Sequence, residues 1–117
     1  MKTKKELKEQ YKQQKFKMGV FQVRNTENDK IFIGSSTDLV AIWNRLRFQL
    51  NNGLHSNEEL QADWLRLGEA QFAYEILSEI KQDDAQPTDY KREAEHLEKM
   101  FMEELQPFGA NGYHTVK

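Results

Sequence analysis

Residues 18–36 read MGVFQVRNTENDKIFIGSS and contain two short apolar runs separated by turn-forming residues. The first run is GVFQV at 19–23, the second is IFIG at 31–34, and NTEND at 25–29 lies between them. β-Branched and aromatic runs bounded by Asn and Asp are typical of antiparallel strands joined by a short loop. The sequence therefore predicts a β-hairpin whose second strand ends in Gly-Ser-Ser, just before a helix.

The rest of the chain changes between helical and strand periodicity. We predict a helix over 3–16 before the hairpin, and two helices after it, over about 38–51 and 56–67. Alternating apolar residues over 72–80 predict a third strand, and a long helix follows from about 88 to 105. The order α-β-β-α-α-β-α has too few strands for a doubly wound sheet. It favours an α/β fold of the α+β kind, with a small three-stranded, mainly antiparallel sheet flanked by helices.

Capping residues mark the ends of the two helices that follow the hairpin. The run from Ser35 to Asp38 offers several N-caps for the first of them. Ser56 and Glu59 have the spacing of a capping box, which predicts that Ser56 opens the second. Gly53 and Gly68 are placed to end the two helices in the usual way.

Length and composition indicate one domain with a single core. The chain has 117 residues, of which 38% are hydrophobic. Cysteine is absent, which excludes a disulfide framework, a thiolate metal site and a cysteine nucleophile. We expect a cytoplasmic setting, because small secreted domains commonly depend on disulfides. The N-terminus lacks the apolar region of a signal peptide and no run approaches the roughly 20 residues of a membrane span, so we expect no membrane partner.

Charge divides the chain into a basic N-terminal helical arm, residues 1–17, and an acidic domain, residues 18–117. The arm carries a net charge of +5 and the domain a net charge of −7. Lys12, Lys15 and Lys17 in the arm are candidates for contacts with nucleic-acid phosphates. The alternative is a solvated helix that contributes only solubility, since an acidic domain repels a polyanion.

The hairpin and the helices after it resemble the GIY-YIG nuclease family. Gly19-Val20-Phe21 matches the first tripeptide of the family and Phe32-Ile33-Gly34 matches the second, at the usual separation. Gly19, Gly34 and Ser35 are accordingly identified as structural motif residues. Further matching segments are 34–39, 53–57, Leu60-Gln61, Trp64, Glu98, Glu104-Leu105 and 111–113. The match covers about residues 18 to 114. This segment is similar to the catalytic domain of phage intron homing endonucleases.

The resemblance implies phosphodiester hydrolysis assisted by one divalent ion, Mg²⁺ or Mn²⁺. Family members use two tyrosines, one of them near the attacking water, an arginine on the phosphate and a glutamate on the metal. Carried over, the tyrosine positions hold Phe21 and Phe32, and the arginine position holds Ile42. Glu98 stands at the metal-ligand position and is retained. The reacting set is therefore partly replaced by apolar residues, which neither bond a water molecule nor carry charge.

Other polar residues are candidates to replace the missing groups. Arg45 and Arg47 lie about one turn beyond the missing arginine, where they either contact phosphate or pair with surface carboxylates. His55, in the loop between two helices, is a candidate to titrate or to touch a phosphate. Tyr74 and Tyr113 are candidate replacement hydroxyls, with packing as their alternative role.

Three functions remain open. The first is a family member that binds nucleic acid but cleaves it poorly or not at all. The second is an active Mg²⁺-dependent endonuclease that uses substitute groups such as Arg45, His55 and Tyr74 around Glu98. The third is a reuse of the fold for protein interaction, with the acidic domain facing a protein partner. The deciding geometry is whether Glu98 and the arginines converge on one groove beside the two phenylalanines.

Overall fold

The computed structural model describes residues 16–82 and 89–115. Within them the hairpin forms as predicted, and two helices, a third strand and a long helix follow in the predicted order. The elements are β1 (Gly19–Asn25), β2 (Ile31–Ser36), α1 (Leu39–Asn51), α2 (Glu58–Leu67), β3 (Phe72–Glu79) and α3 (Tyr90–Leu105), with short 3₁₀ turns at Glu69–Gln71 and Gly109–Asn111. No helix in the described part of the chain is long and apolar enough to cross a membrane.

The three strands form one antiparallel sheet in the order β2-β1-β3. Phe21 lies opposite Gly34 in β2, and Val23 lies opposite Phe32, so the two motif segments are direct neighbours across the hairpin. The predicted three-stranded antiparallel sheet is confirmed.

Strand β1 has buried residues on both of its faces. Phe21 and Val23 face a core cluster that includes residues of α1 and α2. Val20 faces the other way, into a second cluster that contains Ile33 and packs against Leu97 of α3. The sheet therefore lies between α1 and α2 on one side and α3 on the other, because a central strand with apolar residues on both faces requires cover on both.

The predicted alternation of β3 is interrupted next to the motif. Phe21 lies opposite Ile76 and Val20 lies opposite Ser78, so Leu77 is an extra residue in a β-bulge. The bulge changes which side chains of β3 point to each face of the sheet. Leu77 packs against the cluster on the α3 side. Ile76, next to the bulge, is 41% exposed.

Both motif glycines occupy places where a side chain would collide. Gly19 has a φ of 151°, and a Cβ there would lie 1.9 Å from the carbonyl oxygen of Ser78. A Cβ on Gly34 would lie 2.5 Å from the Cζ atom of Phe21. Gly34 thus provides the space in which the aromatic ring of Phe21 lies, and this gives the motif glycines a structural role.

The caps agree with the sequence in α1 and differ by one residue in α2. The Asp38 side chain accepts a hydrogen bond from the Ala41 N–H at 3.0 Å, as the N-cap of α1. In α2 the cap is Asn57, whose side chain accepts from the Leu60 N–H at 3.0 Å. The prediction that Ser56 opens this helix was wrong, because the neighbouring Asn is an equally good cap and lies one residue closer to the first turn.

The boundary between arm and domain is less sharp than the charge pattern suggested. The Lys17 carbonyl accepts from the Leu39 N–H at 2.8 Å, and the Met18 carbonyl accepts from the Ile80 N–H at 2.8 Å. Lys17 is therefore already attached to the domain. The predicted helix over 3–16, with Lys12 and Lys15, lies outside the described residues except for its last position.

Candidate functional site

A groove of about 410 Å³ lies where β1, β2, α1 and α3 meet, over the two motif segments. It collects residues that are far apart in sequence, including every position at which the resemblance placed a catalytic group. Its lining consists of Phe21, Phe32, Ile33, Gly34, Ser35, Ile42, Leu46, Glu98, Met102 and His114. Only Glu98 and His114 among these residues are titratable, so the groove is mainly apolar.

Both phenylalanines contact other aromatic rings beside the groove. Phe21 is 2% exposed, and its ring is tilted against that of Tyr74 with 5.4 Å between the centroids. The ring of Phe32 is stacked on the His114 imidazole at 4.9 Å and meets the edge of His55 at 5.3 Å. Neither phenylalanine brings a hydrogen-bonding atom to the groove, so neither can orient a water molecule.

The remaining wall of the groove comes from α1. Ile42 and Leu46 are one helical turn apart and belong to the apolar stripe that faces the sheet. This stripe occupies the place at which the family carries an arginine. No cationic side chain therefore approaches the groove from this helix.

Glu98 is half-buried at the groove, next to Ser35. Burial away from water raises the pKa of Glu98 above its usual value, the polar groups of Ser35 oppose the rise, and the negative charge of Glu95 adds to it. No ion pair joins Glu98 to a cation of the described residues.

The donor set of the groove does not form a metal centre by itself. Mg²⁺ and Mn²⁺ prefer several oxygen ligands in near-octahedral geometry. The groove supplies one carboxylate, and the Ser35 hydroxyl is the other side-chain oxygen in its lining. Across residues 16–82 and 89–115, no three side chains of His, Asp or Glu converge as ligands. The prediction that Glu98 binds a metal stays a prediction.

The two histidines near Phe32 act as hydrogen-bond acceptors inside the fold. His114 Nε2 accepts from the Ile33 N–H at 2.8 Å, and His55 Nδ1 accepts from the Asn57 N–H at 3.0 Å. An imidazole nitrogen can accept only when it is unprotonated. Burial lowers the pKa of both His55 and His114, which agrees with neutral rings. Their positions indicate a structural role in holding the loop and the C-terminal segment to β2.

The candidate arginines do not line the groove. Arg45 is exposed on α1. Arg47 lies over the ring of Trp43, with 5.5 Å from its Cζ to the centroid, and its Nη2 donates to Asn44 Oδ1 at 2.6 Å. Lys17 is exposed and lies 3.9 Å from a carboxylate oxygen of Glu79. Of the predicted phosphate-binding cations that lie in the described part of the chain, none lines the groove beside Glu98.

The candidate tyrosine hydroxyls are engaged in the core. The Tyr74 hydroxyl donates to the Leu39 carbonyl at 2.6 Å, and burial raises the pKa of Tyr74 to about 12. The Tyr113 hydroxyl accepts from Asn25 Nδ2 at 3.0 Å and donates to Asp63 Oδ2 at 2.8 Å. Burial raises the pKa of Tyr113 still further. Both hydroxyls support packing and neither is free to act on a substrate.

Two features of the groove were missed from the sequence. The contact between Ser35 and Glu98 joins residues on different elements, and no local pattern predicts such a pair. Met102, which also lines the groove, is four residues after Glu98 on α3. That i,i+4 spacing places both on one helical face and was a signal that could have been used.

No protein-family model matches the chain. A curated relative, intron-associated endonuclease 1 of Enterobacteria phage T4, is 38% identical over 64 residues. This match covers 55% of the chain and only 26% of the phage protein, so the chain spans about a quarter of that relative.

Two solved structures share the fold over most of their length, with a TM-score of 0.69 in both cases. One is a glutamate-to-alanine variant of the catalytic domain of the intron endonuclease I-TevI, 30% identical in sequence, and the match covers 85% of this chain and 93% of that one. The other is the catalytic domain of homing endonuclease I-TevI, 29% identical, with 86% of this chain and 99% of that one covered.

Proposed function

The chain belongs to the GIY-YIG nuclease family, and we propose that it is a nucleic-acid-binding domain in which phosphodiester cleavage is impaired or absent. One observation carries the second half of this proposal. The positions that would hold two tyrosines and an arginine are Phe21, Phe32 and Ile42, and all three line the same groove as Glu98. Family membership supports an endonuclease scaffold, while the groove lacks the groups that would act on a phosphodiester.

Hydrolysis of a phosphodiester needs an oriented water molecule and stabilisation of the charge that develops on the phosphate. The phenylalanine rings cannot hold the water, and the Ile42 side chain cannot pair with the phosphate. Losing one preorganised donor commonly costs about 10²–10³ in rate. Three such losses at one site leave Glu98 as the single retained group, which supports weak or absent cleavage.

Nucleic-acid binding is supported by charge on the N-terminal side. The arm of residues 1–17 carries seven lysines, and Lys17 attaches the end of this arm to the start of α1. Arg45 is exposed on the same helix. Cations in this region would bind phosphates without reading the base sequence, and such binding weakens steeply with salt.

The cleavage test uses supercoiled plasmid with Mg²⁺ or Mn²⁺ and follows conversion to nicked and linear DNA. We expect wild-type protein to nick no faster than the Glu98→Ala variant. Restoring the missing groups in the triple variant Phe21→Tyr, Phe32→Tyr, Ile42→Arg is expected to produce nicking that depends on the divalent ion. Adding Glu98→Ala to the triple variant is the matched control, and it should abolish the gained activity.

The binding test measures retention of labelled double-stranded DNA as a function of salt. Retention should fall steeply between about 50 and 200 mM salt, and neutralising Lys12, Lys15 and Lys17 to Gln should weaken it and lower the salt slope. A matched variant with Lys81, Lys91 and Lys99 changed to Gln removes the same charge from the domain. If the two variants lose retention equally, the arm has no special role.

The alternative of protein interaction is favoured by one observation, the net charge of −7 on residues 18–117. An acidic surface repels DNA and suits a basic protein partner. Absence of DNA retention even at low salt would favour this alternative. Activity through Arg45, His55 and Tyr74 has less support, because Arg45 does not line the groove and the other two are bonded within the fold.

A further inference from the structure

The groove combines an uncompensated carboxylate with apolar walls. Glu98 is half-buried in the lining of the groove, and no cation among the described residues forms an ion pair with it. A carboxylate in this setting has lost part of its hydration and lacks a counter-ion, which is unfavourable unless a positive group reaches it. The open side of the carboxylate therefore selects for a cation.

The walls restrict what kind of cation fits. Ile42, Leu46 and Met102 present aliphatic and thioether surface on the way to Glu98. A hydrated divalent ion would find one carboxylate and no further oxygen ligand on these walls. A neutral apolar group would cover the carboxylate without pairing it. A primary alkylammonium satisfies both features, because its stem is apolar and its head donates up to three hydrogen bonds.

We propose that this groove binds a primary alkylammonium group, as presented by a lysine side chain, with the ammonium on Glu98 and the alkyl stem along Ile42, Leu46 and Met102. The groove of about 410 Å³ lies within the range of small-ligand sites and exceeds the volume of one lysine side chain. It therefore accommodates the side chain together with part of the backbone that carries it. The site is distinct from phosphate binding by the arm, and it does not depend on whether the protein binds nucleic acid.

The first experiment titrates ¹⁵N-labelled full-length protein with n-butylammonium chloride at pH 7.5 and follows the amide shifts of Gly34 and Ser35. We expect saturable shifts with a dissociation constant of roughly 1–20 mM, which is the range for so few ligand atoms. n-Butanol supplies the stem without the charge and ammonium chloride supplies the charge without the stem. Each should bind about tenfold more weakly or worse. Equal shifts with n-butanol would overturn the proposal.

Paired variants on α3 test the role of the carboxylate. Glu98→Gln preserves the shape and removes the charge, and it should weaken n-butylammonium binding about tenfold or more. Glu95→Gln removes an exposed carboxylate one turn away and should change binding by less than about threefold. Unchanged binding in Glu98→Gln would contradict the proposed site.

A second variant supplies the ligand from within the chain. Met102→Lys places an ammonium four residues after Glu98, the spacing and order at which a glutamate and a lysine pair best on a helix. Added n-butylammonium should then no longer shift Gly34, whereas Met102→Gln, which makes the same loss of packing, should still bind. Equal binding by the two variants would contradict the site.

The source of the lysine is distinguished in the same spectra. Changing Lys2, Lys4, Lys5, Lys8, Lys12 and Lys15 to Gln removes the lysines that precede the described residues. If one of them occupies the groove, this variant should shift Gly34 without ligand and bind n-butylammonium more tightly. If a partner protein supplies the lysine, both the starting shift and the affinity should equal those of wild type.

Discussion

At the scale of single residues, His114 shows how the groove is held together by a neutral imidazole. It accepts from the Ile33 N–H and stacks on Phe32, so it joins the C-terminal segment to the edge of β2. Protonation would remove the acceptor and place a charge in a half-buried position. The hydrogen bond joins residues that are 81 positions apart, so no local sequence pattern indicates it.

The lowered pKa of His114 predicts a loss of stability on acidification. Below about pH 6.5 the unfolded chain binds a proton that the folded imidazole resists, so the free energy of unfolding falls as pH drops toward the folded pKa. The loss is at most about 1.4 kcal/mol per pH unit for each histidine. Urea unfolding at pH 7.5, 6.5 and 5.5 measures this slope.

The control for this prediction is a pair of histidine variants. His114→Gln keeps an acceptor for Ile33 and should flatten the slope, while His96→Gln removes an exposed histidine and should keep the slope of wild type. The pKa of His55 is lowered as well, so His55 also reduces stability on acidification, and part of the slope should remain in His114→Gln. The raised pKa of Glu98 acts in the opposite sense, because acidification through that pKa stabilises the fold. Equal slopes in the two variants would contradict the role of His114.

The buried Tyr113 and the half-buried Tyr74 are predicted to differ in what their hydroxyls contribute. Tyr113→Phe leaves the Asn25 amide, which is fully buried, without its partner and should cost about 1–3 kcal/mol of unfolding free energy. Tyr74→Phe removes one donor from the Leu39 carbonyl and should cost about 0.5–1.5 kcal/mol. Chemical denaturation of both variants tests the order. A larger loss in Tyr74→Phe would show that the bonds to Asn25 and Asp63 contribute little.

At the scale of elements, the start of α2 offers two neighbouring candidates for the N-cap, Ser56 and Asn57. Asn57→Ala removes the side chain that accepts from Leu60 and also donates to the Tyr113 carbonyl, so we expect a loss of about 1–2 kcal/mol. Ser56→Ala, the cap suggested by the capping-box spacing, should change stability by less than about 0.5 kcal/mol. Thermal or urea unfolding of the two variants decides between the caps, and a larger effect at Ser56 would contradict the structure.

The elements themselves were predictable because their signals are local. Apolar periodicity and turn residues located the hairpin. Both ends of α1 lie close to the predicted residues. The bulge at Leu77 was not predictable, because it follows from the pairing of β3 with β1 across more than fifty residues. The burial of Val20 was not predictable for a related reason, since it depends on the position of α3 over the second face of the sheet.

At the scale of the whole molecule, the sheet order and the helices on both faces bring four separate elements to one groove. The resemblance supplied the set Phe21, Phe32, Ile42 and Glu98, and the fold places them together. Arg45 and Arg47 are excluded from that groove because the apolar stripe of α1 turns Ile42 and Leu46 toward the sheet. The chain keeps the scaffold of an endonuclease domain while its groove is lined by apolar side chains.

The central claim is that this groove does not support cleavage, and the most direct measurement is the rate of plasmid nicking with Mg²⁺ or Mn²⁺. Wild-type protein and the Glu98→Ala variant are purified identically and compared at equal concentration. The account predicts equal, background rates for the two proteins with either ion. Divalent-dependent nicking by wild type that disappears in Glu98→Ala would contradict it and would identify an active endonuclease.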